Sequence, residues 1–245
     1  MGLSVKNLTG GYFGSPVLKN VTFDIEDGQI VGLIGLNGAG KSTTIKEIMG
    51  LLKAYSGEIK IDEISLQMDK TAYRKKLSFI PETPSLYEEL TLQEHIELTA
   101  LAYDIEKDQA LERAKPLLEM FRLQNKLDWF PVKFSKGMKQ KVMIICAFLV
   151  EPSLYIIDEP FMGLDPLAVD DLVKLMKEKK AKGASVLMST HILATAEKFC
   201  DKFVVLDAGK VIAQGDIPSL RESFQLENAS LDDIYLHLTK GLSNE

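Results

Sequence analysis

The chain has 245 residues, is 46% hydrophobic and carries a formal net charge of -6 at pH 7. That length and apolar content suit one large domain, or two intimate subdomains, with a substantial core. The acidic balance argues against a broadly basic surface that tracks nucleic acid, so nucleic acid is not an expected partner.

Residues 3–8 and 21–26 alternate apolar and polar side chains, which predicts strands with one wet face, paired antiparallel. Residues 30–34 form a short continuous apolar run, as parallel strands covered on both faces require, and 154–157, 185–188 and 203–206 share that character. Helical segments at 41–52, 166–182 and 192–199 alternate with these runs, which implies a βαβ core. Between Pro84 and Glu151 the strand signal vanishes, and amphipathic stretches at 92–103, 106–121 and 137–150 read as a helical insertion. A short strand at 211–213 and helices at 217–224 and 231–238 follow. No internal repeat is evident, so a single domain is expected: a core of residues 1–83 and 152–225, an insertion of 84–151, and a helical tail of 226–245.

Cys146 and Cys200 lie in helical contexts without metal-ligand spacing and read as packed thiols in a reducing compartment. The N-terminal residues lack a basic segment followed by an apolar run, so no signal peptide is expected, and Lys6 stands where myristoylation needs Ser or Thr. The longest apolar run, 142–150, is too short to span a bilayer. Any membrane work is expected to pass through a partner.

Gly35-Leu36-Asn37-Gly38-Ala39-Gly40-Lys41-Ser42 follows a predicted strand and opens a predicted helix, the context a phosphate-binding loop requires. Its glycines let successive backbone N–H groups turn inward and cradle phosphate oxygens at a helix N-terminus. Asn37, Gly38, Ala39, Gly40, Lys41, Ser42 and Thr43 are the candidate nucleotide-binding residues. Lys41 brings a positive charge to the β and γ phosphates, a catalytic as well as a binding role, and Ser42 brings a hydroxyl to Mg²⁺.

The run 154–157 ends in Asp158-Glu159-Pro160. Side chains alternate along a strand, so two adjacent terminal carboxylates are expected to point in opposite directions. Asp158 is assigned to Mg²⁺ and Glu159 to the general base that polarises the attacking water.

Three further motifs follow in order: Ser135-x-Gly137 opening a helix, Gly163-Leu164-Asp165 after the carboxylate strand, and Ser189-Thr190-His191 after the next strand. With them the chain resembles, over nearly its whole length, the ATP-binding subunits of ABC transporters. The resemblance implies an α/β fold: a P-loop NTPase core with an N-terminal antiparallel β subdomain and an inserted α-helical subdomain. It also implies that Tyr12 stacks on adenine, with Phe13 as the alternative, and that His191 hydrogen-bonds the γ-phosphate. Ser135, Lys136, Gly137 and Met138 then act on ATP held by a second copy of the chain, and Asp165 couples the two sites. The partners implied are that second subunit and an integral-membrane permease, which places the chain in the cytoplasm against the inner face of the membrane.

The chain departs from the family pattern where Lys136 and Met138 replace Gly and Gln of the common signature. Lys136 opposes the dipole of the helix it starts, so it faces either an anion or solvent. Where the family has Gln, the loop Ile80-Pro81-Glu82-Thr83-Pro84 carries a carboxylate, which can ligate Mg²⁺ but cannot donate as an amide does. Glu82 is therefore a candidate metal and partner-sensing residue, with exposed Tyr87 a candidate permease contact. These variants resemble the exporter-type, Ecs-like and bacitracin-resistance-like branch. The competing reading is a soluble ATPase of the same family serving as an assembly scaffold, as in iron-sulfur cluster biogenesis.

Overall fold

The computed structural model describes residues 2–242, and side chains through residue 239. The chain runs β1 (Leu3–Tyr12), β2 (Ser15–Ile25), β3 (Ile30–Ile34), α1 (Lys41–Ile48), β4 (Ser56–Ile61), α2 (Lys70–Lys75) and β5 (Leu77–Ile80). Three helices follow, α3 (Leu92–Ala102), α4 (Lys107–Met120) and α5 (Lys136–Leu149). The remainder is β6 (Leu154–Asp158), α6 (Pro166–Ala181), β7 (Ser185–Thr190), α7 (Leu193–Ala196), β8 (Lys202–Asp207), β9 (Lys210–Gly215), α8 (Ile217–Phe224) and α9 (Leu231–Leu242).

Two sheets organise these elements: an antiparallel one of order β2-β1-β4, and a six-stranded one of order β5-β6-β7-β3-β8-β9. The larger is parallel except for β9, which pairs antiparallel with β8. The central strands β3, β6 and β7 are buried along their whole length because both faces are covered, whereas the edge strand β9 is partly exposed. Ile30, Ile34, Tyr155, Ile157, Val186, Met188, Phe203 and Val205 join one core with residues of α3 to α9. The alternate residues Val31, Leu33, Leu154, Ile156, Leu187, Val204 and Leu206 join a second core with α1 and the antiparallel sheet. Burying each such side chain contributes about 2 kcal/mol.

Several boundaries differ from the sequence reading. Residues 49–52 leave α1, because Gly50 takes φ 68° and the N–H groups of Leu51 and Leu52 turn back to Lys46 O, closing the helix in a left-handed cap. The helix expected at 192–199 keeps regular α geometry only over α7 and continues as tight turns to Cys200. Unforeseen elements are β4, an exposed edge, and the short α2 and β5. Helix α2 starts where the Asp69 carboxylate accepts from the N–H groups of Thr71 and Ala72. Both cysteines are free thiols, and burial raises the Cys146 thiol to about 11. Among the described residues no helix is long and apolar enough to cross a membrane.

Candidate functional site

The carboxyl ends of the parallel strands share one edge, where an open α/β sheet presents its loops to ligands. Strand β3, between β7 and β8, delivers the phosphate loop. Gly40, at φ 113°, caps α1 in a backbone state that side chains rarely adopt. Asn37, Gly38, Gly40, Lys41, Ser42 and Thr43 line a cleft of about 350 Å³, with Ala39 buried behind them. Lys41 Nζ donates to Gly35 O at 2.8 Å and to Leu36 O at 3.3 Å. The cation is thus held over the loop, while the Ser42 side chain is exposed beside it.

Asp158 ends β6 opposite Ser189 of β7, and the Ser189 hydroxyl donates to its Oδ1. Burial raises the Asp158 carboxyl above its ordinary value; the Ser189 bond opposes this, the charges of Glu82 and Glu159 add to it, and Lys41 counters it. A buried carboxylate among other carboxylates favours a cation. No three or more His, Cys, Asp or Glu side chains gather into a closed metal site among the described residues. Magnesium is ordinarily held by one or two carboxylates together with substrate phosphates, and Asp158 with Ser42 and Glu82 suits such a partial donor set.

Strand alternation does not direct Glu159. The strand stops at Asp158, and Glu159 adopts φ 46°, a left-handed conformation that costs a non-glycine residue on the order of 1 kcal/mol. Its N–H donates to Ser189 O at 3.1 Å, so the next strand fixes the turn. Glu159 Oε2 then lies 2.9 Å from His191 Nδ1 and accepts weakly from the His191 N–H at 3.4 Å. Glu159 is 8% exposed, whereas the His191 side chain is half exposed.

Helix α5 carries Lys136, Gly137 and Met138 and is capped by Ser135, whose hydroxyl accepts from the Met138 N–H at 3.3 Å. The side chains of Ser135 and Lys136 are exposed. Gly137 permits a close approach, since a Cβ there would lie 2.6 Å from Gly163 O. One helical turn on, Lys141 Nζ donates to Asp165 Oδ2 at 2.7 Å, and Asp165 Oδ1 caps α6 through the Ala168 N–H. The Lys141 bond, then the cap, hold the Asp165 carboxyl below its ordinary value.

The buried Gln140 donates to Pro81 O at 3.4 Å, which brings α5 against the loop bearing Glu82. Glu82 is exposed, as is Tyr87 at 61%, whose N–H donates to His95 Nε2. Tyr12 closes β1 with its hydroxyl 3.3 Å from Lys46 Nζ, and Phe13 stands fully exposed at the hairpin tip. Neither aromatic lines the phosphate cleft.

Sequence reasoning missed Ser189 as the partner of both carboxylate residues, though it stood in the Ser189-Thr190-His191 run. It also missed Gln140, a polar residue in phase with the buried Ile144 and Ala147, which was a legible signal. Nothing in the sequence pattern marked Lys141.

The ABC transporter family profile matches residues 18–162. The chain is 60% identical over 238 residues to the ABC-type transporter ATP-binding protein EcsA of Bacillus subtilis (strain 168), covering 97% of this chain and 96% of that protein. A solved structure of an ATP-binding subunit of an ABC transporter superposes with a TM-score of 0.95 at 56% identity, over 98% of this chain and 100% of the other. A dimeric ATP-binding cassette in a post-hydrolysis state, bound to ADP and Pi, superposes at 0.79 with 28% identity, over 88% of this chain and 98% of the other.

Proposed function

The chain belongs to the ABC transporter ATP-binding family, and we propose that it hydrolyses MgATP as half of an ATP-closed dimer that drives a separate integral-membrane permease. The observation that carries this reading is the meeting of Lys41, Asp158, Glu159 and His191 along one sheet edge, with the start of α5 exposed for a second copy.

Substrate phosphates draw Lys41 from the Gly35 and Leu36 carbonyls, and the backbone N–H groups at the start of α1 hold the β and γ oxygens. Ser42 and Asp158 would hold Mg²⁺, with Glu82 near the same charge, and the ion would neutralise the phosphate oxygens. Glu159 accepts a proton from the attacking water as the water oxygen bonds the γ-phosphorus and the bond to the β–γ bridging oxygen breaks. His191 steadies Glu159 through the 2.9 Å contact and offers its exposed edge to the γ-phosphate. Tyr12, or Phe13 beside it, stacks on adenine.

Ser135, Lys136, Gly137 and Met138 face the nucleotide of the opposite subunit, and Asp165 relays occupancy between the sites. The Gln140–Pro81 contact supports a path from α5 to Glu82, where the permease is sensed. In this reading one domain divides into a core of residues 1–83 and 152–225, an insertion of 84–151 and a tail of 226–245. The variant residues Glu82, Lys136 and Met138 favour export.

The test is purification from detergent-solubilised membranes of the source cell. The reading predicts a polytopic membrane protein in fixed stoichiometry, with Mg²⁺-dependent ATP turnover that Glu159→Gln removes. Recovery with soluble partners alone overturns it.

A further inference from the structure

Both polar atoms of the Gly35–Leu36 peptide are held by side chains. Lys41 Nζ donates to Gly35 O at 2.8 Å, and the Leu36 N–H donates to the Tyr235 hydroxyl oxygen at 2.8 Å. Tyr235 is 199 residues from Leu36, on the C-terminal helix α9. It is 7% exposed, and Leu231 and Ile234 beside it are fully buried.

The start of α9 is fixed as firmly. The Leu231 N–H donates to Glu197 Oε2 at 3.0 Å, and Arg221 of α8 approaches Glu197 Oε1 at 3.7 Å while its Nε donates to Ala229 O at 2.7 Å. Glu197 follows His191 by six residues and ends α7. Helix α9 therefore touches the first peptide of the phosphate loop at one point and the segment after His191 at another.

We propose that Tyr235 is a positioning residue for nucleotide binding: its hydroxyl sets the Gly35–Leu36 peptide, and the Glu197–Leu231 contact couples that setting to the His191 segment. Lys41 cannot donate fully to phosphate while spending its protons on the Gly35 and Leu36 carbonyls. Once it turns to the substrate, Tyr235 is the side chain that still holds this peptide. A pre-set loop spares the ordering cost of binding, so the effect falls on affinity rather than on the chemical step. The inference rests on ATP binding at this loop.

The experiment compares Tyr235→Phe with wild type in the full-length chain, by MgATP titration, by turnover where measurable and by hydrogen exchange at the Leu36 amide. Tyr155→Phe is the matched control, because its buried hydroxyl bonds Val150 O at 2.9 Å, away from the loop. Tyr235→Phe is expected to weaken MgATP binding about fivefold, the scale of one neutral hydrogen bond. It should also speed exchange at Leu36 and keep kcat within about twofold, while any fall in the nucleotide-free melting temperature is shared by Tyr155→Phe, which loses one buried hydrogen bond of its own. Unchanged affinity, unchanged Leu36 exchange, or an equal loss of affinity in Tyr155→Phe overturns the proposal. If wild type does not bind MgATP, or Lys41→Ala binds it equally well, the functional reading fails instead.

Discussion

Lys141 Nζ lies 2.7 Å from Asp165 Oδ2, which fastens the helix opened by Ser135 to the loop before α6 within one chain. Gly137 packing on Gly163 O reinforces the link. The start of α5 and the loop before α6 are thus tied to each other at two points. Asp165 also caps α6, so its roles can be separated by substitution. Asp165→Ala is expected to lower folding stability by about 1 kcal/mol through the lost cap, whereas Asp165→Asn keeps it. Asp165→Asn and Lys141→Met should both lower coupled turnover on the order of tenfold without weakening ATP binding to the separate chain. Wild-type turnover in both variants contradicts the coupling role.

In the proposed mechanism Glu159 takes the proton of the attacking water and His191 steadies it. Glu159→Gln is expected to lower turnover by about 100-fold or more while leaving ATP affinity intact, on the scale of losing one well-placed group, about 3 kcal/mol. His191→Ala should also lower turnover, because Glu159 then loses the partner 2.9 Å away. Single-turnover kinetics separate these effects from product release, and an undiminished rate in Glu159→Gln removes it from the base role.

Glu47 on α1 is 2% exposed, and neither carboxyl oxygen accepts a hydrogen bond among the described residues. Burial lifts its pKa from 4.5 to about 7. The folded chain thus keeps a proton that the unfolded chain releases, so this group's contribution falls as pH rises through 4.5 to 7 and is level above that. That lift corresponds to a total on the order of 3 kcal/mol. Denaturation of Glu47→Gln across this range should show a stability advantage over wild type that grows up to pH 7 and then holds. A difference independent of pH contradicts the assignment.

Glu82 is exposed on the loop that Gln140 contacts. Glu82→Ala should lower Mg²⁺-dependent turnover and its stimulation by the permease, with Glu82→Gln less affected because an amide oxygen still binds a cation. If both substitutions leave turnover and stimulation unchanged, Glu82 has neither role.

What the sequence made legible was what chain order and local pattern determine. The apolar runs of β3, β6, β7 and β8 announced a sheet covered on both faces, and the phosphate loop announced its strand and helix. Long-range pairs were not legible, because neither Lys141 with Asp165 nor Leu36 with Tyr235 leaves a periodic mark. The turn at Glu159 also escaped, since strand alternation says nothing once Ser189 of the next strand draws the backbone into a left-handed state. Elements as short as β5 and α2 gave too few residues for a period to show.

In the proposed dimer the exposed start of α5 completes the ATP site of a second copy. Light scattering on Glu159→Gln with saturating MgATP tests it most directly. A mass twice that of the 27.3 kDa chain, falling back when Ser135 is replaced by a bulky residue, is the predicted result. A single-chain mass with nucleotide demonstrably bound contradicts it.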